Sequence, residues 1–258
     1  MITLDEAVEL SRTGDIWIFR GTSGADRAIR GLTNAPVNHV GMAVVIDDLP
    51  PLMWHAELGK ALVDVWTGTH HRGVQLHDMR AAVLQWGRRY HQRGWLRQLS
   101  GPVGEEMEGA VLRTIARLDG TPFPSTARLA TRWARGRLPR LAPLRDTALE
   151  TVRDTLRDTG GSVRDAVRAM LRRDPEASGP SGEPEPEPSR EPEPEPDGPT
   201  LETAYCAEVV AVTYEEMGLL PRDRAPNWYD PGRFWSGRDL RLAEGFSLGG
   251  EIAVAPPD

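Results

Sequence analysis

The chain has 258 residues, 39% hydrophobic and 27% charged, which suits one large domain or two small ones. Its single cysteine excludes an intramolecular disulfide and any zinc site built from several cysteines. The formal charge of −7 is local: residues 174–199 carry nine acids against Arg190 alone, which leaves the rest of the chain close to neutral.

The first fifteen residues, MITLDEAVELSRTGD, lack the apolar core and small-residue cleavage site of a signal peptide, and no apolar run approaches the ~20 residues of a membrane span. A cytoplasmic protein is therefore expected. Residues 4–11 read as a helix, with Leu4, Ala7 and Val8 on one face, followed by a turn at Thr13-Gly14-Asp15 and a strand over 16–19. Two more apolar strands follow, HVGMAVVI (39–46) and LMWHAEL (52–58), separated by the turn-forming DDLPP. Residues 104–118 open with acids and are followed by Gly120, as a helix should be.

Residues 125–173 change character, with twelve arginines to five acids and apolar residues at helical spacing (Leu149, Val152 and Leu156; Val163, Val167 and Met170). Ser162 and Asp165 form a capping-box pattern after Gly160-Gly161. This stretch reads as a helical insertion. Residues 174–199 alternate Glu with Pro and hold nothing that builds a core, so they read as an extended, disordered linker. Residues 203–220 then read as a helix capped by Thr203 and stopped at Gly218, and the Trp- and Pro-rich tail reads as ordered coil packed along the core. The expected organisation is a core made of 1–124 and 200–258, an Arg-rich insertion at 125–173 and a Glu/Pro linker at 174–199.

Cys206 falls in the first turn of the last helix, where free N–H groups and the helix dipole favour a thiolate and lower the thiol pKa. A lone cysteine without context is more often a buried, inert residue. The context is His39, which opens the second strand and shares a face with Gly41 and Ala43, away from Val40, Met42 and Val44. A cysteine and a histidine are the minimal apparatus of acyl transfer: the base takes the thiol proton and returns it to the leaving group. On the third strand, Met53, His55 and Glu57 share a face, and spacing leaves both His55 and Glu57 open as the group that orients the base. Tyr205 is a candidate lining residue beside the nucleophile, although packing explains it better. His70, His71, His77 and His91 show no metal-ligand spacing and read as solvated loop histidines.

In order, GDIWIF, NHVGMAVVI, MWHAEL and the distant YCAEVV resemble the circularly permuted branch of the papain-like NlpC/P60 superfamily, the lecithin:retinol acyltransferase-like and YiiX/YebB-like groups. The resemblance spans roughly residues 13–60 and 202–220. It implies an α+β fold in which the cysteine helix packs on an antiparallel sheet carrying the histidine. Carried over by position, it makes Cys206 the nucleophile, His39 the base and His55, in the dipeptide His55-Ala56, the third polar residue; Glu57 stands two positions beyond. The oxyanion donor expected from such a site is the Cys206 backbone N–H. The activity implied is a thiol hydrolase or acyltransferase of amidase, peptidase or lipase type, acting on an acyl-bearing small molecule, lipid or peptide with no metal or organic cofactor.

A different class also fits, a non-catalytic papain-like module that binds a partner through the basic insertion and acidic linker. For residues 125–145, six arginines with interspersed leucines and Trp133 fit a solvated face, or a segment lying on an anionic membrane. No nucleic-acid module accompanies the charge.

Overall fold

The computed structural model describes residues 1–46, 49–57, 59–122, 205–238 and 240–255. Helix α1 (Leu4–Leu10) is held at its start by a reciprocal capping box between Thr3 and Glu6. The chain then enters β1 (Ile16–Arg20) and turns through α2 (Gly24–Thr33), whose start carries the same device in Ser23 and Asp26. Strands β2 (His39–Val44), β3 (Leu52–Glu57) and β4 (Gly73–Asp78) follow. After them come α3 (Met79–Leu84), a π-helical turn at Gln85–Arg89, and β5 (Arg93–Arg97). Short strand β6 (Leu99–Ser100) leads to α4 (Glu105–Leu118). Past the residues not described lie α5 (Cys206–Glu216), 3₁₀ turns at Pro226–Trp228 and Pro231–Phe234, β7 (Ser247–Leu248) and β8 (Ile252–Val254).

Six strands form one antiparallel sheet in the order β4-β3-β2-β1-β5-β8, and β6 pairs with β7 apart from it. The fold is thus α+β with a large antiparallel sheet, as expected, although the sheet has twice the strands anticipated. β4 was hidden because Gln75 and His77 alternate with Val74 and Leu76, a pattern that normally marks a solvated face. Here all four side chains are buried.

Both faces of the sheet are covered. On one, Leu4 and Ala7 of α1 and Met79, Ala82 and Val83 of α3 close over Trp17, Phe19, Ala43, Met53 and Leu96, joined by Trp86 from the π-helical turn. On the other lies α5, which meets β2, β3 and α4. The Trp54 indole N–H donates to Thr213 Oγ1 of α5 at 3.0 Å, which fixes the face of β3 that α5 covers. Almost every residue of α5 is buried, including polar Thr213 and Glu208, as befits a helix enclosed all round rather than an amphipathic surface helix.

α5 begins later than the sequence suggested. Its N-cap is Tyr205 with no side-chain capping bond, and Thr203 lies outside the described residues. The Tyr205 hydroxyl instead reaches back to the carbonyls of Asn227 and Tyr229, so the helix start is tied to the tail by a long side chain. The helix stops at Glu216, and Gly218 takes φ +75° to bring the Leu219 and Leu220 N–H groups onto the Tyr214 carbonyl. The expected insertion and linker lie outside the described residues. No helix among the described residues is long and apolar enough to cross a membrane.

Candidate active site

Cys206 is the first residue of α5, and burial leaves its side chain 5% exposed. The backbone N–H groups of Val40, Ala207 and Cys206 itself favour its ionised form. The Val40 contact locates the thiol in the sheet. Ladder pairing of β2 with β3 runs from Val44 to Met42 and stops there, so the amide beside His39 has no partner strand on that side. The head of α5 therefore sits at the residue following His39, although the two lie far apart in the chain.

The imidazole of His39 is on the other side of the sheet. Its strand position pairs with Phe19, and its ring packs on Phe19 (centroids 5.9 Å apart), His55 (5.4 Å) and Trp86 (4.7 Å). Its Nε2 is buried and makes no hydrogen bond. Gly41 supplies the room for this cluster: a Cβ there would lie 2.5 Å from Met53 Sδ and 3.4 Å from His55 Cβ. Backbone proximity of Cys206 and His39 is thus present, and a hydrogen bond from the thiol to His39 Nε2 is not.

His55, fully buried on β3, engages a partner that the sequence did not suggest. Its Nε2 is 3.0 Å from His77 Nδ1 on β4, and His77 Nε2 is 3.0 Å from Gln75 Oε1, a buried relay along neighbouring strands. The reading of His77 as a solvated loop residue is therefore corrected, whereas His70 and His91 are exposed as expected and His71 is half-buried. Glu57 is buried as well. It accepts a 2.7 Å bond from the Trp86 indole at Oε2, and its Oε1 has no partner. Trp86 accordingly touches His39, His55 and Glu57 together. It sits in a π-helical turn, a rare local geometry that often accompanies functional sites. Tyr205 is occupied in the bonds that anchor the helix start.

Electrostatics in this closed arrangement are set by desolvation. Burial pushes the Cys206 thiol up to about 11, against the lowering effect of its three N–H donors. The expectation of a lowered thiol pKa at the helix start is therefore not met, because loss of water outweighs the helix terminus. Burial also lowers His39 to about 4, opposed by the Asp26 carboxylate. It holds His55 well below the usual histidine range, with further lowering from His77 and His39, and lowers His77 to about 4. With the thiol near 11 and the imidazole near 4, the proton stays on sulfur.

Among the described residues, two clusters of donor atoms have metal-binding proximity: His55, Glu57 and His77, all buried, and Asp64, His71 and Asp119.

No family model matches the chain, and no curated protein matches it. Among solved structures it is similar to the crystal structure of metalloprotein yiiX from Escherichia coli O157:H7, with 15% identity and a TM-score of 0.41. The match covers 80% of this chain and 66% of the other, so the chain spans less than two thirds of that protein's length.

Proposed function

We propose that the protein is a cysteine hydrolase or acyltransferase with a permuted papain-like core, in which Cys206 is the nucleophile, His39 the base and His55 the residue that positions His39. The observation that carries this reading is the packing of the cysteine helix on β2, with the Cys206 sulfur under the influence of the Val40 N–H next to His39. His55 lies against His39 at 5.4 Å, on the next strand, where an orienting group belongs.

In this reading the backbone at His39, the first residue of β2, rearranges to bring the imidazole to the sulfur when substrate opens the site to water. Rehydration raises the imidazole pKa and lowers that of the thiol, so that proton transfer between them becomes feasible. Sulfur then attacks an amide, ester or thioester carbonyl carbon. The S–C bond forms, the bond to the leaving group breaks, and the imidazolium returns its proton to that group. Water, or a second acceptor, loses a proton to His39 as it attacks the thioester and frees the thiol. The Cys206 N–H stands ready to receive the developing oxyanion. Substrates of lipid, acylated or peptide type fit this chemistry, and an anionic membrane contacted by residues 125–145 would present the first of these.

One observation favours the other reading, a non-catalytic module: the imidazole is turned away from a fully protonated thiol. Labelling with cysteine-directed acyl probes separates the two. The enzyme reading expects labelling at Cys206 that falls ~10²–10⁴-fold in His39→Ala. A folded protein that no such probe labels supports the module.

A further inference from the structure

A second constellation lies outside the proposed site, where the loop between β3 and β4 meets the end of α4. Asp64, in that loop, is fully buried. Its Oδ2 accepts from the Thr67 backbone N–H (2.7 Å) and hydroxyl (2.6 Å), and its Oδ1 accepts from the Leu76 N–H (2.7 Å). Those three donors lock the carboxylate in one orientation. Asp119 is the C-cap of α4, its side chain is 5% exposed, and its Oδ1 has no hydrogen-bond partner. His71 completes the group. Its Nε2 lies 3.5 Å from Asp64 Oδ2 and 4.0 Å from Asp119 Oδ2, and it too is buried without a hydrogen bond.

We propose that Asp64, His71 and Asp119 bind a divalent transition cation of the zinc class. Two features of the geometry argue for an ion between His71 and the two acids. The nitrogen–oxygen separations exceed the ~2.7–2.9 Å of a charge-assisted hydrogen bond, yet they suit ligands placed around a common ion ~2.0–2.2 Å from each. The second nitrogen of His71 lies 3.4 Å from the Arg72 carbonyl, a contact that places the proton on Nδ1 and aims the Nε2 lone pair at the two carboxylates. The imidazole selects a zinc-like ion over calcium or magnesium, which prefer all-oxygen cages. His71 keeps 23% of its side chain exposed, which sets the cluster next to the surface.

Such a site would clamp the β3–β4 loop to α4. Its donors come from that loop and from the end of α4, so no compact ligand spacing announces them.

The test is zinc(II) titration of the full chain after chelator treatment, by calorimetry and by thermal melting, with magnesium(II) and calcium(II) as controls. The proposal expects one equivalent of zinc bound and a Tm rise of ~5 °C or more at a hundredfold excess over Kd. It expects affinity to drop at least ~10-fold in both His71→Ala and Asp119→Asn. Asp119→Asn should in addition melt cooperatively without metal while losing the zinc-induced rise. A cooperative metal-free melt is not what a misfolded variant gives. Absence of zinc binding to wild type overturns the proposal. So does zinc binding that survives both substitutions, and loss of that binding in His77→Gln would place the ion in the His55 cluster instead.

Discussion

His77→Gln is the perturbation with the sharpest expected signature. At pH 7 the variant loses a member of the His55–His77–Gln75 chain, whose links are both 3.0 Å, and leaves buried partners short of a bond. That should cost about 1–3 kcal/mol. In wild type, burial holds His77 at about 4, against about 6.5 in the unfolded chain. The folded-state pKa is depressed, so below pH 6.5 the unfolded state binds the extra proton and wild type loses stability as the pH falls toward 4. Between pH 7 and 4.5 this one group removes roughly 2 kcal/mol from wild type and nothing from the glutamine variant. Asp119, Glu57 and Asp15, whose pKa values are raised, work in the opposite direction in both proteins and cancel in the comparison. Urea unfolding followed by tryptophan fluorescence at the two pH values gives the difference directly. The gap between wild type and variant should narrow by roughly 2 kcal/mol at pH 4.5. A gap that is the same at both pH values refutes the buried, neutral His77.

Three other outcomes follow from the same structure. Arg97 donates to the carbonyls of Phe234, Leu248 and Gly249, so Arg97→Met should cost ~2–4 kcal/mol by denaturant unfolding. His55→Ala should reduce acyl-probe labelling more than Glu57→Ala, because His55 lies against His39 while Glu57 is held by Trp86; the reverse order would transfer the positioning role to Glu57. Replacing residues 174–199 with a short Gly/Ser linker should leave Tm and probe labelling unchanged, since the segment has no apolar side chain beyond Ala177 to bury. Loss of soluble protein would make that segment structural.

Much of the architecture was legible where a single pattern dominated. α1, β1, β2, β3 and α4 were expected within a residue or two because alternation or helical spacing coincided with turn and cap signals. β4 and β5 were not, for a physical reason: Gln75, His77 and Arg97 are buried polar groups satisfied by remote partners, and alternation alone reads them as exposed. α2 carried a usable sign in Ser23 and Asp26, which form its capping box. Cys206 and His39 could be singled out by chemistry and resemblance, yet the sequence gives no means of seeing that burial outweighs the helix terminus at the thiol. Trp86, which packs on His39 and His55 and bonds Glu57, belongs to a turn whose role exists only once the sheet is assembled. The Asp64, His71 and Asp119 group is non-local in the same way.

The central claim is that Cys206 forms an acyl-enzyme with His39 as its base. Intact-mass spectrometry after mixing with activated amide, ester and thioester donors, followed by peptide mapping, measures it. The account predicts a mass increase equal to one acyl group, located on Cys206, absent in Cys206→Ala and ~10²–10⁴-fold slower in His39→Ala. Acylation at the wild-type rate in His39→Ala, or no adduct on the folded protein from any of the three donors, would contradict it.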